Sequence, residues 1–182
     1  MTDLTLESRI KGSLLGGAIG DALGAPVEFM SGEQIDAHFG STGVRAFQPV
    51  RIGGIEQAGL VTDDTQMTLF TMEGIIRAFN RANAKGLGFT TGVIHRAYYR
   101  WADTQIYTAP ITEDGWLIQQ QWLYAQRAPG KTCMDALAGG TSYADLIART
   151  TGQLGPVDHF WSLSIEEQFY WLWPLVMAFL DR

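Results

Sequence analysis

From Glu7 to Leu23 the apolar residues Ile10, Leu14, Leu15, Ile19 and Leu23 recur at helical spacing and predict a first helix. On the same stretch Gly12, Gly16, Gly20 and Gly24 fall every fourth residue, a stripe along one face. Each interior glycine costs a helix about 1 kcal/mol against alanine, so the stripe predicts close backbone approach by a neighbouring helix. A membrane dimer stripe is set aside, because the uncharged run between Lys11 and Asp21 is far below the roughly 20 residues a span requires. After Pro26 a short helix is predicted over Glu33 to Phe39, and the glycine-rich stretch from Ser41 to Gly59, with Pro49, reads as loop. The next helix starts at Thr62 and places Leu69, Met72, Ile76 and Phe79 on one face. "GVIHRAYYRWAD" and "DGWLIQQQWLYAQR" are two further helical patterns, and Pro129-Gly130 breaks the chain before a short helix at "TCMDAL". Tyr98, Tyr99, Trp101, Trp116 and Trp122 fall on these patterns and read as core. Alternating strand-like runs are almost absent, so the first 140 residues read as all-α.

The tail changes character. From His159 onward "HFWSLSIEEQFYWLWPLVMAFLDR" holds three of the six tryptophans, with 12 uncharged residues from Phe169 to Leu180. Ser164 and Glu167 form a capping-box pattern for a helix that Pro174 would end or kink. Residues 169–180 are too few to span a bilayer alone, yet they are apolar nearly all round a helix and offer a membrane-associated alternative to a cytoplasmic location.

Composition narrows the classes. With 182 residues the chain can hold one domain with a real core, and 46% hydrophobic and 18% charged residues mark it as globular. The net charge of −6 offers no basic footprint for nucleic acid, which needs clustered Lys and Arg. A single cysteine, Cys133, cannot form an internal disulfide, and the start "MTDLTLESRIKG" lacks the basic and apolar regions of a signal peptide, so the expectation is cytoplasmic. Cys133 has no identifiable base, and His38 and His95 no partner at nucleophile or metal spacing; all three read as structural or surface residues.

Candidate chemistry concentrates in "GLVTDDTQMTL", where Asp63 and Asp64 stand between two threonines at the start of the third helix. Two readings apply. Thr62 is a good N-cap and the helix dipole favours carboxylates in the first turn, so capping alone can explain the acidic pair. From spacing alone capping is the favoured reading; the alternative is that a threonine hydroxyl and two carboxylates gather hard oxygen ligands of the kind Mg²⁺ or Mn²⁺ takes. Three ligands do not complete an octahedral site, and Glu28, in "GDALGAPVEFM", is the nearest preceding carboxylate at a helix-to-loop position. Asp21 reads as structural, a short acid bonding backbone groups where a helix ends.

"RIKGSLLGGAIGDALGAPVEFM", then "GLVTDDTQMTL" and "PGKTCMDAL", in that order over about 140 residues, resemble the N-terminal half of the ADP-ribosylglycohydrolase family. The resemblance implies an all-α hydrolase that uses two Mg²⁺ or Mn²⁺ ions to cut the glycosidic bond between ADP-ribose and a modified protein or a small ADP-ribose conjugate. It implies Thr62, Asp63 and Asp64 as metal ligands and Glu28 as the mobile acidic residue of the catalytic site that touches metal or polarises the attacking water. The family also carries a Gly-Asn-Gly substrate loop and a late Gly-Gly-Asp-x-Asp-Thr motif with the remaining ligands. Neither occurs here: "AGGTSYAD" has the double glycine without paired aspartates, and Asp145 is not counted as a ligand.

"GPVDHFWSLSIEEQFYWLWPLV" is similar to a signature of the acyltransferase-3 family of polytopic membrane proteins, over about residues 155–180. That resemblance points to His159 and Glu166 or Glu167. In a fragment without a run of membrane helices these read as a loop histidine and a solvated helical turn. The expectation is an incomplete ADP-ribosylglycohydrolase-like domain over residues 1–140, followed by a junction and the acyltransferase-3-like fragment over 141–182. The expected activity is metal-dependent release of ADP-ribose, impaired by truncation. The rivals are a noncatalytic ADP-ribose-binding remnant and a fragment of a membrane enzyme transferring acyl groups other than amino-acyl groups.

Overall fold

The computed structural model describes residues 5–86 and 90–139. Its order is α1 (Leu6–Gly24), α2 (Gly32–Phe39), β1 (Pro49–Ile52), β2 (Ile55–Ala58), α3 (Asp63–Lys85), α4 (Thr90–Ile106), two short 3₁₀ turns (Leu117–Gln119 and Gln121–Leu123) and α5 (Lys131–Gly139). The chain is mainly helical, as its periodicity implies. The tail from residue 140, including the acyltransferase-3-like segment and the apolar run 169–180, lies outside the described residues. No described helix is long and apolar enough to cross a membrane.

The described residues divide into two compact units, one gathering residues 5–65 with Gln126–Ala128, the other residues 66–86, 90–125 and 129–139. In the first unit, α1 starts on Thr5, whose side chain accepts from the Ser8 N–H, and α2 carries a capping box between Ser31 and Gln34. The close approach expected along the α1 glycine stripe is not made by any described residue: a Cβ at Gly12, Gly16, Gly20 or Gly24 would meet nothing within 4 Å. Leu15 and Ile19 of the same helix are exposed.

The stretch expected as loop contains an antiparallel hairpin. Ile52 pairs with Ile55 across Gly53-Gly54, and both glycines have positive φ, 59° and 78°. Two consecutive left-handed residues match the twist of the flanking strands, so the pair of glycines is itself the hairpin signal. A Cβ at Gly53 would lie 2.2 Å from the Gln126 carbonyl oxygen, which means that the hairpin tip packs backbone to backbone against residue 126.

In the second unit Met67, Phe70, Ala97, Tyr98, Trp101, Ala102, Leu123 and Leu137 form the core. The buried residues of α3 are Gln66, Met67, Phe70, Thr71, Glu73, Gly74 and Ala78, not the expected face of Leu69, Met72, Ile76 and Phe79; Ile76 is exposed. The reason is polar pairing. Gln66 accepts from Trp101 Nε1 at 3.3 Å and from Gln105 Nε2 at 2.8 Å and donates to the Leu123 carbonyl, while Thr71 and Tyr98 share a 2.8 Å hydroxyl contact. Satisfied in this way, polar groups can occupy the face that packs most tightly. Gly74 lets α4 approach, with Ile94 Cα 3.0 Å from where a Cβ would sit.

The pattern "DGWLIQQQWLYAQR" does not form a helix. Glu73 Oε1 accepts from the Trp116 and Leu117 N–H groups at 2.8 and 3.4 Å, and Tyr124 donates to the Ile118 carbonyl. Gln119 and Gln121 donate to the carbonyls of Thr112 and Thr108. These partners replace a helical ladder, bury Ile118 and Leu123, and leave Trp116 and Trp122 about half exposed, contrary to the expectation that both are core. Tyr98 and Trp101 are buried as expected. His38 is exposed at the end of α2 and His95 stands edge-on to Tyr99 with ring centroids 4.7 Å apart.

Candidate metal centre

The start of α3 lies within the first unit and can be accounted for donor by donor. A helix leaves its first N–H groups without intrahelical partners. Here the Asp63 N–H donates to the Arg127 carbonyl at 2.8 Å, the Asp64 N–H to Thr62 Oγ1 at 3.3 Å and the Thr65 N–H to Asp21 Oδ2 at 3.3 Å. Thr62 is therefore the cap its sequence position implies. It shares that task with a carboxylate from the end of α1 and with a carbonyl from beyond the second 3₁₀ turn.

Asp21 is the centre of this arrangement. Its Oδ1 accepts from Thr62 Oγ1 at 2.7 Å; its Oδ2 accepts from the Thr62 N–H at 2.8 Å, from the Thr65 N–H, and from Thr65 Oγ1 at 2.5 Å. Four hydrogen bonds converge on this one side chain. The sequence reading of Asp21 as a structural acid that bonds backbone groups agrees with this. The helix end it serves is the start of α3, not the end of its own helix.

The expected ligands sit at graded depth. Thr62 is buried, Asp63 half-buried and Asp64 exposed. Glu28 is exposed in the turns that follow α1, at the helix-to-loop position its sequence context implies. Among the described residues, no three His, Cys, Asp or Glu side chains are grouped so that they could hold a metal ion. A divalent cation such as Mg²⁺ asks for about six hard oxygens in near-octahedral order. Thr62, Asp63 and Asp64 supply hard oxygen and nothing else, so the donor chemistry fits and the donor count is that of a partial set.

Two contributors escaped the sequence reading. The Arg127 carbonyl holds the first N–H of α3, and Arg127 is itself buried, with burial lowering its pKa. The next residue, Ala128, has φ 58°, the one described non-glycine residue with positive φ. Such a conformation costs about 1–2 kcal/mol and persists only where the surroundings impose it. Nothing local in "QRAPG" signals that the Arg127 carbonyl serves a helix start far back in the chain.

A family model described as ADP-ribosylglycohydrolase matches residues 2–156. A protein of Archaeoglobus fulgidus described as uncharacterized is 41% identical over 71 residues, which is 39% of this chain and 22% of that relative. The chain thus spans about a fifth of that relative's length in the matched region. No solved structure matches.

Proposed function

The chain belongs to the ADP-ribosylglycohydrolase family, and from that membership we propose that Thr62, Asp63 and Asp64 are the first ligands of a divalent-metal centre serving the release of ADP-ribose from modified proteins or small conjugates. The observation that carries the reading is the donor account at the start of α3. The first three N–H groups are taken by the Arg127 carbonyl, Thr62 Oγ1 and Asp21. Capping therefore has its acceptors without the side chains of Asp63 and Asp64, which stand in the first turn where the helix dipole favours negative charge. Family membership is what favours a cation as the group they serve.

Two Mg²⁺ or Mn²⁺ ions bound there would supply Lewis acidity to a water molecule and to the ribose hydroxyls. The chain's own residues do the rest. Asp63 and Asp64 offset cation charge, Thr62 adds a neutral oxygen, and Glu28, exposed in its turn, takes the proton of the attacking water as charge builds at the anomeric carbon. The late motif that carries the family's remaining ligands does not occur in this sequence, so binding is expected to be weak and turnover slow.

Calorimetric titration of the full chain with Mg²⁺ or Mn²⁺ should show one weak event at most, abolished in the Asp63→Ala, Asp64→Ala double variant. Equal binding by that variant would refute the ligand assignment. Hydrolysis of ADP-ribosylated arginine or serine peptides should fall below ordinary enzyme rates of roughly 1 to 10³ s⁻¹. Metal-independent binding of ADP-ribose, unchanged in the double variant, would instead identify a noncatalytic binding domain.

A further inference from the structure

The metal reading leaves one carboxylate unused. Asp21 is no candidate ligand, yet it accepts four hydrogen bonds at the start of α3. Two of its four donors are N–H groups, which can only donate; two are hydroxyls, which can donate or accept. The hydroxyl of Thr62 gives its proton to Asp21 Oδ1 at 2.7 Å and uses one lone pair to accept from the Asp64 N–H. One lone pair remains. With its only proton committed, Thr62 can meet a third group solely as an acceptor.

A cation needs that state, because a hydroxyl that turns its proton outward repels it. We infer that Asp21 is a positioning residue for the metal centre: it takes the Thr62 proton so that Oγ1 is presented as an acceptor, and it fixes the first turn of α3 on which Asp63 and Asp64 stand. The inference rests on the proposed ligand role of Thr62, Asp63 and Asp64. It assigns Asp21 no contact with metal, water or substrate. Groups that orient ligands in this way commonly change metal affinity by about 10- to 100-fold when altered.

The geometry supplies a selective test. In Asp21→Asn the side-chain oxygen can keep the Oδ2 position, where it still accepts from Thr62 N–H, Thr65 N–H and Thr65 Oγ1. The amide NH₂ then takes the Oδ1 position and faces only Thr62 Oγ1. It must donate there, so the Thr62 hydroxyl accepts and its own proton turns away from residue 21. Three bonds survive and one reverses. The reverse placement of the amide is disfavoured, because NH₂ would then face two backbone N–H donors.

The experiment is calorimetric titration of the full chain with Mn²⁺, with circular dichroism as the control for folding. The proteins are the parent, Asp21→Asn, Thr62→Val, Thr62→Ser, and Asp21→Asn combined with Thr62→Val. Affinity should fall about 10- to 100-fold in Asp21→Asn and in Thr62→Val and be retained in Thr62→Ser. Because Asp21 acts through the hydroxyl, Asp21→Asn should add little once Thr62 is valine. A purely electrostatic contribution of Asp21 would instead add in full, and that result overturns the inference. So does parent-like affinity in a folded Asp21→Asn. Should Asp21→Asn fail to fold, unchanged affinity in Thr62→Val has the same force. If the parent binds no Mn²⁺, or binds it unaltered in the Asp63→Ala, Asp64→Ala variant, the ligand assignment itself falls. Loss in that variant with no change in Asp21→Asn or Thr62→Val refutes the positioning role alone.

Discussion

Replacing Glu73 by alanine tests whether the polar face of α3 is held by the partners named for it. Glu73 is 1% exposed and Arg100 is 5% exposed. The carboxylate accepts from Arg100 Nη2 at 3.3 Å and from the backbone N–H groups of Trp116 and Leu117. Alanine leaves those two N–H groups without an acceptor, at about 1–3 kcal/mol each, and leaves Arg100 with Asp114, whose side chain is half exposed, as its ion-pair partner. These costs overlap. Breaking a buried pair from one side typically costs about 3–5 kcal/mol in total, a large part of the roughly 5–15 kcal/mol that holds a domain together. Urea unfolding of the full chain, followed by circular dichroism, should show that loss as a lower midpoint at unchanged slope. Glu73→Gln also breaks the pair with Arg100 but keeps an oxygen for the Trp116 and Leu117 N–H groups, so its loss should be smaller than the alanine variant's by about 1–3 kcal/mol. A loss below about 1 kcal/mol in the alanine variant, or equal losses in both, would refute the account.

Gly53→Ala should cost about 1–3 kcal/mol and lower the melting temperature, because φ is positive there and the added carbon meets the Gln126 carbonyl. Gly115→Ala places a carbon 2.8 Å from Glu73 Oε1 at φ 117°; its cost, measured by urea unfolding, should shrink when Glu73 is also alanine. Burial lowers the pKa of His95, so the unfolded chain takes up its proton first as pH falls. The stability linked to neutral His95 is present above the ordinary imidazole value of about 6.5 and is lost as pH drops through the lower folded value; His95→Gln should flatten that slope in midpoints compared across this range.

What the sequence disclosed was local. The start of α3 announces itself through Thr62, because a cap bonds to N–H groups within three residues of itself; the box of Ser31 and Gln34 at the start of α2, just as local, went unread. Gly53-Gly54 carried an equally local hairpin signal that a glycine-rich surrounding concealed. The 3₁₀ turns near Trp116 were not legible, since the acceptor that decides their course, Glu73, lies 43 residues earlier. For the same reason the acidic pair was found and its brace was not. Asp63 and Asp64 stand together in the chain, whereas Asp21 and Thr62 are 41 residues apart, and no periodicity tells which helix end a lone aspartate serves.

The bonds from Asp21 to Thr62 also close a ring of chain that holds α2 and the hairpin. A ring pinned at its base is tolerant of its own length, since each doubling of a flexible loop costs only about 0.6 kcal/mol in closure entropy. Gly40 to Gln48, between α2 and β1, is then the place where extra residues, a peptide tag or a fluorescent reporter can be spliced in while the acidic helix start keeps its shape.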